Sequence, residues 1–277
     1  MIMPKPTYAP LSVRVRALLR GLAPTAALGV ALGVAAAAPV ACTTSSGGAA
    51  GARATASVPA PADTVSSLDM NQLTPAEKAA GWKLLFDGST TNGWRGFKKQ
   101  DVPAGWVARS GELRRVAAGG DLITRDEYQN FDLVFDWKIA YGGNSGVMYR
   151  VTEDGGETYE TGPEYQLLDD PHYPDGKSLL TSAGSDFGIY PVTQRMAKPA
   201  NEWNTSRIVV NGAHVEHWLN GLKVVDYELW SPDWKQRVAN SKFKAWPGYG
   251  LAKYGYIALQ DHEFPVAFRN IKIKVLP

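Results

Sequence analysis

"FDLVFDWKI" (Phe131–Ile139) decides how the chain folds. Phe131, Leu133, Phe135, Trp137 and Ile139 alternate with Asp132, Val134, Asp136 and Lys138. Strict period two with one greasy face is the pattern of a strand whose one side is buried. Around it the chain reads as further short strands: "GVMYRV", "EYQLL", "WNTSRIVV", "AHVEHWLNGLKVVDYEL", "GYIALQD" and "VAFRNIKIKVL". Asn220-Gly221 inside "LNGLKV" suits a type I′ hairpin turn. Long helical patterns are absent, and 28 glycines and 18 prolines punctuate the strands. The expected architecture is all-β, an antiparallel β-sandwich of roughly 200 residues. One short N-terminal helix precedes it: Thr74, Pro75 and Glu77 fit an N-cap, a first-turn proline and a capping-box acid, with Gly81 as the stop.

Three segments are expected. Residues 1–41 read as an export signal, with Arg14, Arg16 and Arg20 ahead of an apolar stretch from Leu22 to Ala38. The single cysteine, Cys42, rules out an intramolecular disulfide and follows "PVA", a site for lipidation. Cleavage to a soluble exported product is the alternative, and membrane attachment would come only through that lipid. Residues 42–67 are small and polar and read as a disordered tether. Residues 68–277 form the globular domain. The charge supports this division. Lys5, Arg14, Arg16 and Arg20 lie before Cys42 with no acid among them, leaving 25 basic against 27 acidic residues in the remainder. A near-neutral domain of this kind is not a nucleic-acid binder.

Alternation also sorts candidate site residues. In "NSGVMYRV", Gly146, Met148 and Arg150 share the face opposite Val147, Tyr149 and Val151. In "EYQLL", Glu164, Gln166 and Leu168 oppose Tyr165 and Leu167. In "IALQDH", Ala258, Gln260 and His262 oppose Ile257, Leu259 and Asp261. If these strands share a sheet, Arg150, Glu164, Gln166, Gln260 and His262 converge on its open side. A carboxylate, an imidazole and a guanidinium cover base, acid and anion stabiliser. The plainer alternatives are a cross-strand Arg150–Glu164 ion pair and a solvated His262. His214 and His217 in "HVEH" fall on opposite strand faces, which argues against a shared zinc ion. No cofactor is certain. A hard divalent cation on Asp169 and Asp170 stays open.

Taken in order, "GWKLLFDGSTTNGW", "GDLITRDEYQNFDLVFDWKI", "GGNSGVMYRV", "TGPEYQLLDD", "EWNTSRIVVNGAHVEHWLNGLKVVDYEL" and "GYIALQDHEFPVAFRNIKIKVL" resemble the 3-keto-disaccharide hydrolase domain family over roughly Ala80 to Pro277. The resemblance implies a concanavalin-like jelly roll. It implies action on a carbohydrate already oxidised at C3, usually by a separate sugar 3-dehydrogenase. For such chemistry the expected roles are Glu164 as base or metal-facing acid, His262 as proton donor and Arg150 as enolate or hydroxyl clamp. Asn144, Gln166 and Gln260 would hold ring hydroxyls, with Tyr190 and Trp203 as stacking or relay groups. The competing reading is a non-catalytic, lectin-like carbohydrate-binding module.

Overall fold

The computed structural model describes residues 70–277. The export signal, the tether and Cys42 lie outside the described residues. Helix α1 (Pro75–Ala79) starts as expected: the Thr74 hydroxyl accepts the Glu77 N–H, and the Glu77 carboxylate accepts the Thr74 N–H. Thirteen strands follow among the described residues: β1 (Trp82–Leu84), β2 (Trp94–Gly96), β3 (Trp106–Arg109), β4 (Glu112–Arg115), β5 (Leu122–Thr124), β6 (Phe131–Ile139), β7 (Asn144–Val151), β8 (Glu164–Leu168), β9 (Asn204–Asn211), β10 (His214–Leu219), β11 (Leu222–Glu228), β12 (Tyr256–Leu259) and β13 (Val266–Val275). They form the expected antiparallel sandwich. The larger sheet has the order β11-β10-β9-β6-β13-β4-β3, with β1 also on β13, and the smaller has the order β2-β5-β12-β7-β8.

Strand β6 lies at the centre of the larger sheet, between β9 and β13. Its alternation is realised: Phe131, Leu133, Phe135, Trp137 and Ile139 enter the core between the sheets. Tyr149, Tyr165 and Leu167 meet them from the smaller sheet. Several polar groups in this core pair with one another, as burial favours. Ser206 Oγ accepts from Trp137 Nε1 at 2.8 Å and lies 2.8 Å from the Tyr165 hydroxyl, which donates to the Trp218 carbonyl at 3.0 Å. His217 is fully buried on the inner face, opposite in direction to His214, as alternation required. Burial holds its imidazole down at about 4, so it is neutral. The Gly184 carbonyl 2.9 Å from Nδ1 calls for the proton there, leaving Nε2 to accept from the Tyr149 hydroxyl. Asn220 (φ 49°) and Gly221 (φ 86°) form the β10–β11 turn with both residues left-handed, the type I′ signature.

A second helix, α2 (Pro232–Asn240), lies between β11 and β12, where no helix is expected from the sequence. Its start signals are present: Ser231 Oγ accepts the Trp234 N–H, and Pro232 and Asp233 occupy the first turn. No helix among the described residues is long and apolar enough to cross a membrane.

The outer face of the smaller sheet is divided. At one end Ile123, Met148, Val151 and Ala258 form an apolar cluster packed by Phe97 and Tyr256. That cluster accounts for Met148 on an otherwise polar face. The other end carries the polar groups described next.

Candidate active site

Strands β7 and β8 pair so that Gly146 faces Gln166 and Met148 faces Glu164. The Gln260 N–H, just past β12, donates to the Gly146 carbonyl at 2.9 Å. Gln166, Gly146 and Gln260 therefore form a row across three strands, with Glu164 one step along β8. The glycine is required: a Cβ at Gly146 would lie 2.1 Å from Glu164 Oε1. Its absence lets the carboxylate lie across the sheet. Above this floor is a cavity of about 160 Å³ lined by Asn144, Tyr159, Glu164, Gln166, Asp175, Phe187, Lys242, Gln260 and His262. Five residues expected from the sequence thus come together: Asn144, Glu164, Gln166, Gln260 and His262.

Their polar atoms are poised for a ligand. Asn144 Oδ1, Gln166 Oε1, Gln260 Oε1 and His262 Nδ1 are buried without a hydrogen-bond partner. Each such group costs about 1–3 kcal/mol while unpaired. A cluster of them at one cavity belongs to binding rather than to folding. Three amides and an imidazole offer the mixed donors and acceptors that a polyol needs. With the carbonyl ends inward, Asn144, Gln166 and Gln260 join Glu164 as a hard-donor set suited to a divalent cation, with His262 as a nitrogen donor.

Glu164 is 5 % exposed. Burial is the main reason its carboxyl is pushed up to about 8; Lys242 pulls it down, while Asp121, Asp186 and Asp175 push it further up. The surrounding loops are tied in place. Asp121 accepts from the Thr158 hydroxyl on the Tyr159 turn and from the Asp261 N–H, the latter at 2.7 Å. The Asp261 carboxylate in turn takes Arg115 Nε at 2.5 Å and the Gly119 and Gly120 N–H groups at 2.7 and 2.8 Å. Gln260 and His262 flank this clamped residue.

Other expected residues lie elsewhere. Arg150 does not face the cavity. Between Val151↔Tyr256 and Met148↔Ala258 the ladder is irregular, so Tyr149 and Arg150 oppose Ile257 alone. Arg150 takes φ 53°, and this bulge turns its side chain off the open face. Its guanidinium instead donates to the Gln129 and Gly212 carbonyls at 2.8 and 2.9 Å, beneath the Trp230 ring. Arg150→Met is expected to cost about 2–3 kcal/mol in urea unfolding, because those carbonyls lose their donor. Loss of activity with stability intact would return Arg150 to the site.

Tyr190 is spent on packing: one face stacks on Tyr227 at 4.4 Å, Arg237 lies 4.5 Å from its ring centroid, and its hydroxyl donates to Asp233. Trp203 sits over Lys138 and Arg269 on the outer face of the larger sheet. Asp169 accepts from the Gly142 N–H and bonds His172, and Asp170 accepts from the Ala183 N–H, so both anchor loops and neither lines the cavity. The one group of three or more metal-type side chains among the described residues is His214, Glu216 and Asp226, whose acids already hold Lys223.

Sequence reasoning missed Lys242. Its ammonium lies 4.4 Å from the centroid of the Phe187 ring and 5.1 Å from that of Phe243. It is the ammonium among the described cavity residues.

The sequence signature of the 3-keto-alpha-glucoside-1,2-lyase-like domain matches residues 81–274. A 3-keto-disaccharide hydrolase from Bacteroides thetaiotaomicron is 35% identical, over 77% of this chain and 84% of that protein. A crystal structure of a candidate glycosyl hydrolase from Parabacteroides distasonis is 38% identical with TM-score 0.70, covering 75% of this chain and all of that one. A second from the same organism is 29% identical with TM-score 0.54, covering 67% and 100%. The protein is a glycoside-cleaving enzyme, and the chain belongs to the 3-keto-alpha-glucoside-1,2-lyase-like domain family.

Proposed function

We propose that the protein cleaves the glycosidic bond of sugars carrying a ketone at C3, by proton abstraction at C2, elimination and hydration. The observation that carries this reading is Glu164: a buried carboxylate pushed up to about 8, on the floor of a cavity walled by unpaired amides. Ordinary glycoside cleavage uses a carboxylate pair at a set separation about an oxocarbenium-like centre. A C3 ketone changes the demand, because it acidifies the C2 hydrogen. A base whose pKa lies near the working pH is then best placed to take that proton.

Glu164 removes the C2 proton, and the electron pair moves into the C3 enolate. Lys242 faces the developing oxyanion, the part the sequence leads one to expect of Arg150. The pair then returns to form the C1–C2 double bond as the C1–O bond breaks, and His262 gives the departing oxygen its proton. Water adds at C1 and a proton returns to C2, so the sum is hydrolysis. Asn144, Gln166 and Gln260 hold the ring hydroxyls. Substrate comes from a separate oxidation of the sugar at C3. The exported, lipid-anchored location expected from the N-terminal sequence is part of the same proposal.

The test is to incubate the purified protein with a 3-keto-glucoside and with the same glucoside unoxidised, each with and without chelator. Release of the aglycone from the keto form alone is expected. Equal release from both would contradict the reading. Loss of activity with chelator, restored by a divalent cation, would show that the reaction needs a metal, for which the Glu164 donor set is the candidate site.

A further inference from the structure

We propose that Tyr141 and His172 form a stacking platform for the leaving-group sugar; this rests on the reaction proposed above. The cavity holds about five waters' worth of space, the scale of a single hexose. The second ring of a disaccharide must therefore lie at the rim. The side it leaves from is set by chemistry: the departing oxygen is the one that His262 protonates.

On that side the surroundings of His262 are aromatic. Tyr173 packs edge-on to His262 and to Phe264, with centroids 6.2 and 6.0 Å away. His172, the preceding residue, stacks with Tyr141 at 4.1 Å and 32°. Tyr141 is 68 % exposed and lies three residues before Asn144, so its Cα is within about 10 Å of a cavity residue.

An exposed tyrosine is ordinarily free to turn, and ordering it on binding would cost affinity. This one is built in. Asp169, 3 % exposed, takes the Gly142 N–H at 2.7 Å and lies 2.9 Å from His172 Nδ1 through the same oxygen. The Asp169 carbonyl accepts the N–H groups of His172 and Tyr173, and its own N–H donates to Gly143. Gly142 at φ 61° makes the turn that presents the ring. One buried carboxylate thus holds the His172 ring and the backbone beside Tyr141, and the His172 ring in turn backs Tyr141. A rigid, exposed aromatic face beside a sugar-sized cavity suits the C–H face of a pyranose. It also gives Asp169 a role that a loop anchor alone does not need.

The test compares a 3-keto-disaccharide with methyl 3-keto-glucoside as substrates of wild type, Tyr141→Ala and Tyr141→Trp. For Tyr141→Ala, the ratio of KM for the disaccharide to KM for the methyl glycoside is expected to rise about tenfold, with Tyr141→Trp restoring it. An unchanged ratio overturns the platform, whether the two KM values move together or not at all. If wild type turns over neither substrate, the proposed reaction fails. The platform is then read by calorimetric titration with maltose and methyl glucoside: tighter binding of maltose that disappears in Tyr141→Ala supports it, and equal affinities overturn it.

Discussion

Glu164→Gln is expected to lower kcat/KM for a 3-keto-glycoside by about 10²–10⁴-fold, the range a positioned general base supplies. The amide keeps the shape of the side chain and removes the basic oxygen pair. Since Glu164 forms part of the cavity floor rather than the inter-sheet core, the fold should persist. A second variant reaches the same carboxylate without touching it. In Gly146→Ala the new methyl would lie 2.1 Å from Oε1 and 2.8 Å from Cδ, so the carboxylate must move. A displacement of that size is worth roughly 10²-fold in rate. Steady-state kinetics on both variants, with thermal melts as the control for folding, checks the pair. Wild-type turnover by Glu164→Gln would remove Glu164 from the chemistry.

One titration should move activity and stability in opposite directions. In the folded protein Glu164 titrates at about 8 rather than at its ordinary 4.5, because burial disfavours the charged form. Between those values the folded chain holds a proton that the unfolded chain has released. Stability is therefore full below about 4.5, falls as pH rises through the window, and levels above the folded value. Asp186, fully buried and also pushed up to about 8 by burial, adds a loss of the same sign. Activity should rise over the same window as the base is freed. Glu164→Gln abolishes its share of the loss. At pH 8.5 it is expected to be more stable than wild type by on the order of 3 kcal/mol, with no difference at pH 4. Urea unfolding across pH 4–9 measures this. Parallel curves for the two proteins would show that Glu164 is not buried in its neutral form.

The same residues show what alternation can and cannot disclose. Phe131 to Ile139 was readable because β6 is regular and one face is dry. Glu164, Gln166 and Gln260 were readable because they sit on or next to strands in register around Gly146. Arg150 was not, because a bulge in β7 breaks the period at that residue, and its positive φ has no local sequence cue. Tyr190, Trp203 and Lys242 lie outside the strands, where no periodicity assigns a face; their positions follow from tertiary packing. Helix α2 carried readable signals in Ser231, Pro232 and Asp233, but at nine residues it is too short to show a sustained helical period.

The most direct test of C2 chemistry is a substrate deuterated at C2, followed by mass spectrometry of the earliest released sugar, with a no-enzyme control for spontaneous exchange. Proton abstraction by Glu164 predicts slower release from the deuterated substrate and loss of deuterium to water during cleavage by wild type, with cleavage and washout both falling about 10²–10⁴-fold in Glu164→Gln. Release of a sugar that still carries its full deuterium at C2, at the same rate as from the unlabelled substrate, would contradict elimination and point to direct displacement at C1.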